Sequence, residues 1–172
     1  MLTLESLNQM ASNNPDGVAF TEKGSTISFT RLKRLVDKVS SELFEGSEGV
    51  YAQHTENSIS KNIITLCADN VGINTLLNIK ASISKEMLAA TIKANHIDVL
   101  YTDSMDKIWK VSDNFGLSIS STTPIELFHN KVWKVKFRGN QDGGIQIDEE
   151  EIKFRYNEWQ EFQKDYHPPP HP

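Results

Sequence analysis

Apolar residues recur along this chain at two spacings, and the alternation between them lays out a series of elements. Leu2, Leu4, Leu7 and Met10 predict a short helix over residues 1–14, stopped by the turn cluster Asn13-Asn14-Pro15-Asp16-Gly17. Val18 to Phe20 and Thr26 to Phe29 flank Lys23-Gly24 and read as a hairpin. From Ser28 or Thr30, the positions Leu32, Leu35, Val36, Val39 and Leu43 form one helical stripe that ends near Glu45-Gly46. Gly49 to Ala52 is a candidate strand. Asn57 or Ser58 then caps a helix carrying Ile59, Ile63, Leu66 and Cys67.

The alternation continues. Ile73 to Leu77 reads as a strand, Ser84 to Ile92 as a helix capped by Ser84, and Ile97 to Thr102 as a strand. Asp103 and Ser104 can cap a short helix running through Trp109, and Leu117 to Ile119 is a further strand. Val132 to Phe137 alternates as strands do, and residues 148–164 return to helical spacing with Ile152, Tyr156 and Trp159 on one stripe. Strands alternating with helices of this length predict an α/β fold: a mostly parallel sheet with helices on both faces. One domain spans residues 1–166, and His167 to Pro172 form a proline-rich tail.

Composition narrows the function classes. The 172 residues suit a single domain, and 38% apolar residues allow a core of modest size. A net charge of −5 argues against nucleic acid as a partner. No apolar run reaches the roughly 18 residues of a membrane span, and the first residues lack a signal-peptide pattern. The expected location is the cytoplasm. Cys67 is the single cysteine and lies in an apolar run, so it reads as a small buried hydrophobe. His54, His96 and His129 have no metal-ligand spacing and read as surface or satisfied core residues. Serine-hydrolase, zinc-protease and dithiol motifs are absent.

The most specific local feature is the glycine loop Arg138-Gly139-Asn140-Gln141-Asp142-Gly143-Gly144, between a strand-like and a helix-like run. Three readings are open. Backbone amides of Gly139, Gly143 and Gly144 can face an anion, but Asp142 repels phosphate and no lysine or hydroxyl is at hand. Asn140, Asp142 and Glu149 fall at calcium-loop positions 3, 5 and 12 when Arg138 is counted as 1, yet arginine replaces the first ligand. A plain tight turn, with Asn140 and Asp142-Gly143 supplying its chemistry, is the simplest. Asp148 to Glu151 form the acidic first turn of the following helix. Glu149, Glu150, Tyr156 and Trp159 together make a candidate face for a protein partner.

In their order, the segments resemble the N-terminal part of the adenylate-forming superfamily: acyl-CoA synthetases, peptide-synthetase adenylation domains and luciferases. Asn14-Pro15-Asp16 before Val18-Ala19 is similar to the family's opening "P-D-x-x-A", and Gly24 to Leu32 to its "G-x-x-x-T-Y-x-E-L". Val50 to Ser58 resembles the strand and "N-S" cap, and Leu100-Tyr101-Thr102-Asp103 the strand ending "l-i-T-D". The likeness covers about residues 5–160. It implies that Gly139, Asn140, Gln141, Asp142, Gly143 and Gly144 stand where the family has its phosphate loop, without that loop's hydroxyls and lysine. It also implies that the nucleotide and acyl pockets and the catalytic lysine belong to sequence outside these 172 residues.

Two functional expectations follow. One is a non-catalytic adenylation-like module with no catalytic residue, metal or cofactor of its own, acting through a protein partner, a carrier protein or a second copy in an acyl- or aminoacyl-activating pathway. The other is one part of a split AMP-forming ligase, completed by a complementary chain and using ATP and magnesium. A calcium-responsive module is a third.

Overall fold

The computed structural model describes residues 1–45 and 49–139. Their elements are α1 (Leu4–Asn13), β1 (Val18–Glu22), β2 (Ser25–Ser28), α2 (Phe29–Phe44), β3 (Val50–His54) and α3 (Ser58–Asn70). There follow β4 (Leu77–Asn78), α4 (Lys85–Ala94), β5 (Ile97–Thr102), α5 (Met105–Phe115), β6 (Ile119–Leu127) and β7 (Asn130–Phe137).

Helix starts follow side-chain chemistry closely. Thr3, Ser28, Asn57 and Ser84 each accept a hydrogen bond from the backbone N–H three residues on, at 2.9–3.2 Å, which satisfies an amide the helix leaves unpaired. Lys23 and Gly24 both adopt positive φ, at 51° and 78°, as a two-residue hairpin turn requires, and β1 and β2 pair antiparallel around them. Gly116, in the left-handed region at φ 70°, closes α5.

The main sheet has the order β4-β3-β5-β7-β6. Strands β3, β4 and β5 are parallel, while β7 runs antiparallel to both β5 and β6. Helices α1, α2 and α3 pack on one face, with Tyr51, Val99, Tyr101, Ile125, Leu127 and Val132. Helices α4 and α5 pack on the other, with Ala52, Leu100 and Val135. An α/β fold with helices on both faces is therefore present, but the sheet is mixed rather than mostly parallel.

Three local expectations change with it. The strand expected at residues 73–77 shrinks to Leu77–Asn78, because Gly72 at φ 80° ends α3 in a Schellman turn. There the Gly72 N–H donates to Asp69 O and the Ile73 N–H to Ala68 O. The helix expected to stop at Trp109 continues to Phe115, carried by buried Ile108 and Val111. The short strand at Leu117 to Ile119 becomes the nine-residue β6, since pairing with β7 outweighs the weak local signal of its serines and Pro124.

Beneath α2, Phe44 meets Tyr51 and Tyr101 edge-on at ring separations of 5.2 and 5.4 Å, and the Tyr101 hydroxyl donates to Leu43 O. Cys67 is fully buried between α3 and α2, with its thiol 3.8 Å from Val36 O. Burial pushes that thiol up to about 12, and a hydrogen bond from Ser40 offsets only part of the effect. Native protein is therefore expected to be silent to a thiol reagent such as Ellman's, and to react stoichiometrically once denaturant opens α2 from α3. Fast labelling of the native chain would contradict this packing.

Candidate functional site

Strands β3 and β5 are neighbours, but their exits diverge. The loop after β3 leads to α3 on one face of the sheet, and the loop after β5 leads to α5 on the other. Divergence of this kind makes a crevice at the carboxyl ends of the strands, the place where open α/β sheets hold ligands. Here the polar residues His54, Thr55, Glu56 and Asn57 face Thr102, Asp103 and Ser104.

Asp103 fills the crevice. Its carboxylate accepts from the Glu56 N–H at 3.0 and 3.1 Å and from the Asn57 N–H at 3.0 Å. An anion placed against amides at the entry to a helix is the arrangement that binds phosphate elsewhere, and in this chain a side chain of the chain supplies the anion. Asn57 has two further bonds. Its carbonyl caps α3 at Ser60 N, and its amide donates to Glu22 at 2.8 Å. The other oxygen of Glu22 accepts from the Asn130 amide, at the start of β7. Gln53 points to the α3 side and donates to Asn78 at 2.8 Å and Thr65 at 3.1 Å.

On the opposite face of β3 lies His54. It is 1% exposed, and neither ring nitrogen has a hydrogen-bond partner. Backbone groups of Ile79 and Lys80 lie close enough to favour the charged ring slightly, as does Asp103, without completing a bond of good geometry. Burial dominates, and the Lys107 ammonium adds to it, so the imidazole is held below its ordinary value. Lys107 donates to Ala81 O at 3.2 Å and Ile83 O at 2.7 Å, strapping α5 to the loop before α4. Burial also lowers Lys107, against the attraction of Glu56.

Gly139 is exposed, and a Cβ there would meet open space. Because β7 is antiparallel to β5, the chain reaches Phe137, Arg138 and Gly139 at the amino ends of the parallel strands, opposite the crevice. The Arg138 N–H there donates to Ser118 O at 2.8 Å. Asn140, Gln141, Asp142, Gly143, Gly144, Glu149, Glu150, Tyr156 and Trp159 lie outside the described residues. Among the described residues, no group of three His, Cys, Asp or Glu side chains is disposed to hold a metal ion. No helix among them is long and apolar enough to cross a membrane.

Sequence reasoning had Asp103 and Asn57 as helix caps, and it passed over Glu22, Asn130 and the orphaned state of His54. The available signal was the polar run that directly follows each of two adjacent buried strands. Comparison with protein-family models and with curated proteins gives no match to this chain.

Two outcomes test the site. Asp103→Ala removes the acceptor of one exposed and one partly buried amide and is expected to lower unfolding free energy by about 0.5–1.5 kcal/mol, read from urea midpoints. For His54, the folded value lies below the unfolded one of about 6.5, so the unfolded state binds the extra proton as pH falls. Its contribution is fully present above about pH 6.5 and is lost on acidification through the folded value. The wild-type urea midpoint should therefore fall faster with acidity than that of His54→Phe. Parallel slopes would contradict a buried neutral imidazole.

Proposed function

We propose that the chain is a non-catalytic adenylation-like module that acts through a protein partner in an acyl- or aminoacyl-activating pathway. The observation that carries this reading is the self-filled crevice: the amides that would cradle a substrate anion at the strand ends already hold Asp103. Phosphoryl and acyl-adenylate chemistry needs donors and cations turned toward developing negative charge. Asp103 and Glu56 bring negative charge to this crevice instead. The Lys107 ammonium, close to His54, is spent on two backbone carbonyls. The exit of β7 at Phe137 to Gly139 lies at the other end of the sheet from this crevice.

The segment order quoted above supports the family assignment within this reading. The α/β layering supports it too: a hairpin, a capped long helix, and parallel strands separated by helices on both faces.

ATP–pyrophosphate exchange by the isolated chain, offered mixtures of carboxylic and amino acids, is expected to stay at background. A phosphopantetheinylated carrier protein added to the isotope-labelled chain is expected to shift amide resonances without starting exchange. Exchange by the chain alone ends the reading. Exchange that starts only when a complementary chain is added replaces it with a split AMP-forming ligase.

A further inference from the structure

Strand β4 lies at the edge of the main sheet and is held to it by little. It pairs with β3 over two residues, Ala52 with Leu77 and Gln53 with Asn78, whereas β3 and β5 pair over the whole of β3. The Ile79 N–H adds one more bond, to Gln53 O at 2.9 Å. Leu77 is partly buried and Asn78 exposed, and Ile79 is the one fully buried anchor of residues 77–83. Beyond it Lys80 and Ser82 are exposed. The Lys107 ammonium on α5 then holds the loop by Ala81 O and Ile83 O.

What lies against this stretch favours its release. His54 shares the α4/α5 face of β3 with Ala52, is 1% exposed, and has no hydrogen-bond partner on either ring nitrogen. The Ile79 and Lys80 backbone is beside the ring. An imidazole buried this way forgoes the bonds that water would give it, and a protonated one forgoes more. Both losses are recovered when the stretch lifts and water reaches the ring.

The charges around the ring come from four elements. Lys107 on α5 repels a protonated ring, and Lys85 at the start of α4 acts on Lys107 in the same sense. Asp103 at the exit of β5 attracts the protonated ring, and Glu56 at the exit of β3 attracts Lys107. Asp103, however, already accepts from the Glu56 and Asn57 amides. Burial is the largest effect on the ring, so the proton is held more weakly with the stretch closed than with it open. A charged ring also pushes on the very ammonium that holds Ala81 and Ile83.

We propose that residues 77–83 form an acid-released latch: protonation of His54 detaches β4 and the loop after it from β3, while β3 and β5 stay paired. Closure is fully favoured above about pH 6.5 and is lost as pH falls through the closed-state value, because the open form takes up the proton more readily. A buried neutral imidazole alone lowers overall stability in acid. The latch confines the opening to residues 77–83, where the sheet is held by two ladder pairs and one lysine. With β4 released, β3 becomes the outer strand.

Hydrogen exchange read by mass spectrometry at about pH 7.5 and about pH 5.0, corrected for the intrinsic pH dependence of exchange, tests this. Peptides covering residues 77–83 are expected to lose about tenfold in protection on acidification, while peptides covering residues 97–102 keep theirs. His54→Phe is expected to remove that pH dependence, and Lys107→Met to lower protection of residues 77–83 at both values. In the wild-type chain the His54 imidazole, followed by NMR, is expected to titrate below its ordinary value, which keeps the test decisive if either variant fails to fold. Unchanged protection at residues 77–83 overturns the proposal, as does an equal loss at residues 97–102. So does the same acid response in His54→Phe, undiminished protection in Lys107→Met, or an imidazole titrating at or above about 6.5.

Discussion

The carboxylate of Asp103 on the amides of Glu56 and Asn57 is the contact on which the arrangement of this sheet turns. Parallel strands leave their exits unpaired, because the ladder ends while the backbone still has donors to satisfy. A side chain from the exit of β5 supplies the acceptor for the exit of β3 across 46 or 47 residues of sequence. That fixes Asn57, and Asn57 in turn caps α3 and reaches Glu22 on β1. Glu22 then holds Asn130 at the start of β7. The small hairpin, the start of α3 and the antiparallel half of the sheet are thereby tied to one end of the parallel strands by a single run of charge-assisted bonds.

Such a run explains which parts of the molecule were legible beforehand. Helix starts are local events: Thr3, Ser28, Asn57 and Ser84 act on amides three residues away, and the sequence displays all of them at the right spacing. The Lys23-Gly24 hairpin is equally local. By contrast, the local signal for a strand stops at Ile119, and β6 runs on to Leu127 because β7 is there to pair with it. Strand direction is just as non-local. Val132 to Phe137 alternates identically whether it runs parallel or antiparallel to β5, yet that direction decides at which end of the sheet the glycine loop begins. The candidate site follows the same rule. Asp103 and Asn57 were visible as caps, but their partnership was not, since it depends on β3 and β5 being neighbours. His54 could be read as core or surface; that it is core and unpaired depends on what α5 and the Ile79–Lys80 backbone bring to it.

The two ends of the sheet differ in kind. At the carboxyl ends of β3 and β5, charges are paired inward: Asp103 with amides, Glu22 with two carboxamides, Lys107 with two carbonyls. Little is left there to recognise a charged ligand. At the amino ends, β7 exits at the partly buried Phe137, with Lys136 and Arg138 on either side of it in sequence. A surface of that composition suits contact with protein, and aromatic and cationic side chains are the types enriched in such contacts. The two ends thus differ in what they leave exposed, and that difference is in keeping with the proposed module that works through partners.

His54 shows that the closed end is held under tension. A buried imidazole with both nitrogens unpaired costs about 1–3 kcal/mol per unsatisfied group, the same order as the Asp103 contacts contribute. The two effects sit on adjacent strand exits and oppose each other. Lys107 contributes to the balance, since its bonds to Ala81 and Ile83 hold the loop beside the ring and its charge adds to the burial that keeps the ring neutral. Opening that loop would hydrate the imidazole and free Lys107 at once, so each unfavourable term in the closed state favours the open one. In the layer under α2 Tyr101 is hydrogen-bonded and Cys67 sealed, but the buried Ser60 hydroxyl on α3 is likewise without a hydrogen-bond partner.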